Sequence, residues 1–284
     1  MAHTKIKFVT DCVCDIPQDL VDQWEIGVVP CFVNYGGESY ADDGVELDRV
    51  AFFEQMTSMP DVPTTAAPPP ALAEEFIDVA FEESDHVIIL TTPANLSAIY
   101  NSMRIASEKL PQDRVTLIDS GQLTMALGWQ VVVGAETAAK TGDIQQTIDA
   151  ITSVRNNQAL YAGLATIEML RRSGRVGWAA GSIGSLLQIK PVVSVQDGVV
   201  SQAARVRTFR RVSGKLIELV KQHAPLDKLA ILHTNNLEGA EQLKEDLKDI
   251  LPEQTIITLA GPTIGTHIGP GALALAPVSK SWRA

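Results

Sequence analysis

Residues 86–120 read HVIILTTPANLSAIYNSMRIASEKLPQDRVTLIDS. The run His86–Thr91 is apolar without polar alternation, the pattern of a strand covered on both faces. Pro93 breaks it, Leu96–Leu110 has helical spacing, and Val115–Asp119 is a second buried run. Strand, helix and strand in succession predict one turn of a parallel α/β sheet, because parallel neighbours need a crossover between them. The same alternation continues on both sides. Toward the N-terminus, Lys5–Thr10 predicts a strand and Asp11–Asp15 a turn. Pro17 opens a helix through Trp24, and Val28–Val33 is a further strand. It ends in the Asn34–Gly37 turn, with a short partner around Ser39–Ala41. Leu47–Met59 and Ala71–Glu83 have helical spacing, the first with Asp48 as a cap. Between them lies PDVPTTAAPPP, Pro60–Pro70, expected to be neither helix nor paired strand because proline removes donors and fixes φ. We read it as an ordered, functional loop. Gly121–Thr141 predicts a long buried helix stopped by Gly142, and Asp143–Asn156 an amphipathic one.

Toward the C-terminus the pattern changes. Ala159–Leu164 predicts a strand and Glu168–Ser173 a short helix. Lys190–Val195, Asp197-Gly198 and Val199–Arg207 form the signature of a β-hairpin with a two-residue turn. Thr208–His223 and Leu237–Ile250 are expected helices, with a strand at Leu229–Thr234. Gln254–Leu259 and Ala272–Ala276 are expected strands bracketing Gly261–Gly271. A hairpin inside an α/β pattern makes this second sheet mixed. The expectation is an α/β chain of two domains: 1–157, with a Rossmann-like parallel sheet, and 158–284, with a mixed sheet and hairpin.

Charge is distributed unevenly. Arg171–Lys215 (RRSGRVGWAAGSIGSLLQIKPVVSVQDGVVSQAARVRTFRRVSGK) holds nine of the chain's 23 Lys and Arg and one acid, Asp197. Its formal charge is +8 on a protein of −11, leaving −19 for the rest. A basic island on an acidic chain is expected to face something anionic, such as a phosphate, a carboxylate or an acidic partner. Gly174, Gly177, Gly181 and Gly184 add backbone that can approach a ligand closely. The acidic balance argues against non-specific nucleic-acid binding. No apolar run reaches the length of a membrane span, and MAHTKIKF lacks the apolar core of a secretory signal. Cys12, Cys14 and Cys31 are too few for a disulfide framework, so the expected setting is the reduced cytoplasm.

Few residues carry chemistry by local pattern alone. Cys12-x-Cys14 lacks the second pair a tetrahedral metal site needs, and no metal is expected. Asp11 ends the first strand where doubly wound proteins place ligand groups, or it caps the following turn. No dinucleotide fingerprint, Walker loop, nucleophile elbow or HExxH is present. His3, His86, His223 and His233 have no evident companions. His267, in Thr266-His267-Ile268-Gly269-Pro270-Gly271, is expected on a stiff turn rather than in a core. Thr64-Thr65 in the proline segment and Ser97 near a helix start supply hydroxyls that can join free amides around an anion.

The order of these features resembles the DegV family, bacterial fatty-acid-binding proteins that include the lipid-carrying subunit of fatty acid kinase. Phe8-Val9-Thr10-Asp11 with Asp15-Ile16-Pro17 is similar to the family's Thr-Asp-Ser…Asp-Leu-Pro opening. Val29-Pro30, Pro63-Thr64-Thr65, Leu96-Ser97-Ala98-Ile99-Tyr100 and Ile118-Asp119-Ser120 follow in the family's order. So do Ser173-Gly174-Arg175-Val176, Leu186-Leu187-Gln188-Ile189-Lys190-Pro191, Asp197-Gly198, Arg205-Val206-Arg207-Thr208 and His267-Ile268-Gly269-Pro270-Gly271. The resemblance implies a long-chain fatty acid such as palmitate in a tunnel, its carboxylate held by two hydroxyls that map to Thr65 and Ser97. Arg175, Arg207 and His267 would face the head group or a partner. That partner would be a separate fatty acid kinase subunit that phosphorylates the bound acid, so the chain itself would not be an enzyme. It would need no cofactor besides the bound lipid, and transient contact with a membrane surface stays open. The chain departs from the family pattern at Cys12, Ala66, Ala67, Ala98 and Ile99, several of them beside the two hydroxyls. The alternative is an enzyme like dihydroxyacetone kinase acting through His267, which would require a carboxylate to orient the imidazole. A scaffold without a closed apolar tunnel is the third reading.

Overall fold

A computed structural model describes residues 3–177 and 189–284. Gly181, Gly184 and Leu186-Leu187-Gln188, singled out above, lie outside the described residues. The strands are β1 (Ile6–Asp11), β2 (Gly27–Val29), β3 (Phe32–Tyr35), β4 (Glu38–Ala41), β5 (Thr64–Ala66), β6 (His86–Thr91) and β7 (Val115–Asp119). They continue as β8 (Leu160–Gly163), β9 (Lys190–Gln196), β10 (Val199–Val206), β11 (Leu226–His233), β12 (Gln254–Leu259) and β13 (Leu273–Ser279).

Three sheets result. A parallel sheet has the order β2-β1-β6-β7. All six residues of β6 are buried, which is what the unbroken apolar run requires. The second sheet, β10-β9-β8-β13-β11-β12, is mixed: β11 and β12 run parallel and its other pairings are antiparallel. The β9–β10 hairpin turns at Asp197 and Gly198, both with positive φ, as a two-residue hairpin turn demands. A small antiparallel sheet, β4-β3-β5, completes the set.

The helix Thr124–Thr141 ties the two larger sheets together. It is buried from Thr124 through Ala135. Gly134 lies so close to Phe8 and Ile151 that a Cβ there would collide with both side chains. On its other side Trp129 Nε1 donates to the carbonyl of Ala276 at 3.1 Å. The resulting core joins Phe8 and Leu90 of the first sheet to Leu160, Val195 and Ala276 of the second.

Four expectations are corrected. The proline segment does form a paired strand: Val33 and Asn34 of β3 face Thr65 and Thr64. Proline bars only the positions it occupies, and Thr64, Thr65 and Ala66 keep their amides at the edge of a three-stranded sheet. The helix expected over Leu96–Leu110 spans Ile99–Ser107, and the strand Val28–Val33 breaks at Pro30 into β2 and β3, which belong to different sheets. The glycine-rich segment after β12 is largely helical, Pro262–Ile268, with proline at its first position.

Candidate functional site

The carboxyl edge of the parallel sheet and one face of the mixed sheet enclose a cavity of about 250 Å³. Its walls are mainly apolar, with Leu96, Ile99, Leu123, Leu160, Val193 and Leu232 among them. Thr65, Ser97, Arg175 and His267 all line it. The structure therefore brings four of the five anticipated residues to one cavity.

Each is placed by its local sequence. Thr65 sits on β5, whose register against Val33 fixes which way its side chain projects. The segment is anchored behind it, because the Ser102 hydroxyl donates to the Pro68 carbonyl. Ser97 lies in the turn after β6, where the amides of Leu96 and Ser97 both donate to the Pro93 carbonyl. Its hydroxyl oxygen accepts a long bond from Ile99 N at 3.4 Å, which leaves its proton free to donate.

His267 is not on a stiff turn, as expected from sequence; it occupies the last turn of the helix Pro262–Ile268, partly buried. Its Nε2 is 3.0 Å from Thr65 Oγ1. Burial, and secondarily the Arg175 guanidinium, push its pKa down to about 4. The imidazole is neutral at neutral pH and can exchange a hydrogen bond with Thr65 in either sense.

Arg175 is exposed and braced by its own loop, with Nη1 2.6 Å from the Ser173 carbonyl. Arg207 is not brought to the cavity. It is exposed, just past the end of β10, and does not line the walls. The rest of the basic island divides. Arg171 and Arg172 pair with Glu168, and Lys190 donates to the Ala165 carbonyl. Arg205, Arg210 and Arg211 are exposed alongside Arg207 with no side-chain partner among the described residues.

Behind the site lies a group of buried carboxylates, of which sequence reasoning singled out Asp11 but missed the grouping with Asp15 and Asp42. Asp11 accepts from Val13 N, Thr92 N and Thr92 Oγ1, at 3.1, 2.8 and 2.9 Å. It is thus the cap of the turn rather than a ligand group. Asp15 Oδ1 accepts from Gly261 N at 2.8 Å, and Asp42 Oδ2 from Thr263 N at 2.9 Å. Asp42 also faces Arg49 at 3.4 Å. Burial raises Asp11 to about 6, and raises Asp15 to about 7 against the pull of Arg49. Asp15 and Asp42 hold the start of the helix that carries His267. The only local sign of Asp15 was its place in Asp15-Ile16-Pro17, and Asp42 and Arg49 had none.

The cysteines are free and buried. Burial pushes the Cys14 thiol well above its ordinary range, which disfavours the thiolate that metals and electrophiles require. Among the described residues no group of three His, Cys, Asp or Glu is placed to hold a metal ion. No described helix is long and apolar enough to cross a membrane.

These features can be set beside known proteins. A DegV domain-containing protein of Clostridium perfringens is 29% identical over 97% of this chain and 99% of its own. One from Listeria monocytogenes is 30% identical over 96% and 98%. Among solved structures, a DegV family protein of Thermus thermophilus described as binding fatty acid superposes with a TM-score of 0.89, at 26% identity over 97% and 99% of the two chains. DegV of Bacillus subtilis, described as a fatty acid binding protein, gives 0.88, at 26% identity over 98% and 100%. The family model described as "Uncharacterised protein, DegV family" matches residues 5–280, and the chain belongs to the DegV family.

Proposed function

We propose that this chain is a carrier that binds a long-chain fatty acid in the cavity, with the carboxylate held by Thr65 and Ser97. The observation that carries the reading is the pairing of an apolar enclosure with spare neutral hydroxyls on two of its walls. An acyl tail of about 15 methylenes, at ~0.8 kcal/mol each, offers roughly 12 kcal/mol before the cost of ordering it. A carboxylate in a partly wet mouth needs only a few donors, and neutral hydroxyls supply them without burying a second charge.

The finer part of the reading concerns what happens to the head group. His267 is bonded to Thr65, and the charge that acts on it is the Arg175 guanidinium, not the carboxylate that a general base would need. This supports presentation of the acid to a separate kinase subunit in the cytoplasm rather than catalysis by this chain. The guanidinium groups of Arg205, Arg207, Arg210 and Arg211, without side-chain partners among the described residues, supply a face for a phosphate or an acidic partner. The two-domain division at 157/158 belongs to the same proposal; that boundary falls between the helix Ile144–Asn156 and β8.

The test is a titration with saturated acids of increasing length. Affinity is expected to climb with each added methylene until the cavity is full and then to drop. A flat profile would mean that only the head group binds.

A further inference from the structure

The acyl reading uses Thr65, Ser97 and His267 and leaves another lining residue unexplained. Thr124 lines the cavity and is only 6% exposed. Its hydroxyl has no hydrogen-bond partner among the described residues. Its φ is +51°, in the left-handed region that a β-branched residue adopts only when its surroundings impose it.

Thr124 is also the first residue of an 18-residue helix, and Leu123 before it offers no side-chain cap. The first amide bonded back into that helix is Ala126 N, to the Leu123 carbonyl, so the amides of Thr124 and Met125 precede the ladder. An unsatisfied hydroxyl and the positive end of a long helix therefore meet at the wall of the cavity. Leu123, Leu160, Val195 and Leu232 line the same cavity. A plain methylene at this point leaves a buried donor unpaired, which is unfavourable; an oxygen on the chain would satisfy it.

Resting on the fatty acid reading above, we infer that Thr124 and the helix end it opens form a second polar subsite, which takes an oxygen carried along the acyl chain. The ligand class then includes hydroxy and keto fatty acids. The carboxylate and the chain oxygen would be read by different elements: β5 and the turn before Ile99 for the first, the start of the helix Thr124–Thr141 for the second.

The experiment compares stearate with hydroxystearates carrying the hydroxyl at successive positions, for the wild type and for Thr124→Val. Valine keeps the β-branch and puts a methyl group in place of the hydroxyl. In the wild type, one positional isomer is expected to bind at least as tightly as stearate, while the others bind about tenfold or more weakly. Its keto counterpart should be accepted too, because the Thr124 hydroxyl and the free amides are donors. In Thr124→Val the ratio of that isomer's affinity to that of stearate should fall about tenfold, and Thr124→Ser should restore it. The inference is overturned if the wild type rejects all isomers alike, or if Thr124→Val weakens stearate and the isomer by the same factor. Should Thr124→Val not fold, Thr124→Ala, which also removes the hydroxyl, takes its place with the same expected fall and the same overturning result. Failure of stearate itself to bind would instead sink the acyl reading.

Discussion

The helix Pro262–Ile268 has two ends that use polar groups in opposite ways. At its start, Gly261 N and Thr263 N are taken by Asp15 and Asp42, and Asp42 is paired with Arg49. These partners are internal, as they must be, since a buried carboxylate without donors is costly. At its end, His267 meets a single neutral hydroxyl, Thr65, beside a cavity that Ser97 and Thr124 also line. Neutral groups can be left half-used at modest cost and still have something to offer a ligand. The comparison teaches where to look for binding: among neutral hydroxyls that line the cavity, rather than among carboxylates already holding backbone amides.

The largest expected effect breaks the scaffold end. Asp42→Ala removes the acceptor of Thr263 N and strands the Arg49 guanidinium. By analogy with other half-removed buried pairs it should cost about 3–5 kcal/mol of stability, read from urea unfolding. A loss below about 1 kcal/mol would show that this end is not the rigid one. At the cavity end, Thr65→Val combined with Ser97→Ala should do the reverse. Each hydroxyl to a charged acceptor is worth about 1.5–3 kcal/mol, so with both removed fatty acid affinity should drop by about 10²–10⁴-fold with little change in the unfolding midpoint. Unchanged affinity would remove these residues from the site.

A pH titration of stability sharpens the contrast. Asp15, at about 7, and Asp11, at about 6, hold protons in the native state that the unfolded chain releases near the ordinary value of 3.8. Between those limits the native state binds more protons, so their contribution to stability falls as pH rises from about 4 to 7. His267 acts with the opposite sign. Its native pKa of about 4 lies below the ordinary 6.5, so the unfolded state protonates first and stability is lost as pH drops from about 6.5 to 4. Asp15→Asn should therefore flatten the fall toward neutral pH and expose the rise contributed by His267. If the slope is unaltered, Asp15 is not the titrating group. The smallest effect belongs to Arg175→Ala, which removes the lesser of the two causes depressing His267. The imidazole pKa, followed by NMR, should rise only part of the way back toward 6.5.

Much of the scaffold was legible because its signals are local. The apolar run His86–Thr91 could only be a doubly covered strand, and Asp197-Gly198 between two β-rich runs could only be a hairpin turn. Gln254–Leu259 matched residue for residue. What escaped depended on distant partners. Thr64–Ala66 is a strand because β3 offers an edge, which no rule about proline reveals. Gly265 looks like loop punctuation but is there because the Phe53 ring packs where a Cβ would sit, 2.3 Å away. Thr65, Ser97 and His267 were singled out by the order of motifs around them. The buried carboxylates join residues 15, 42 and 49 to 261 and 263, a grouping that exists only once the chain has folded.

The central claim is that the cavity holds an acyl chain, and native mass spectrometry of the purified protein tests it most directly. The wild type should carry the mass of one long-chain fatty acid, or acquire it on addition of palmitate, and the Thr65→Val/Ser97→Ala variant should lose it at lower collision energy. A wild type that stays at its bare chain mass in the presence of excess palmitate would contradict the account.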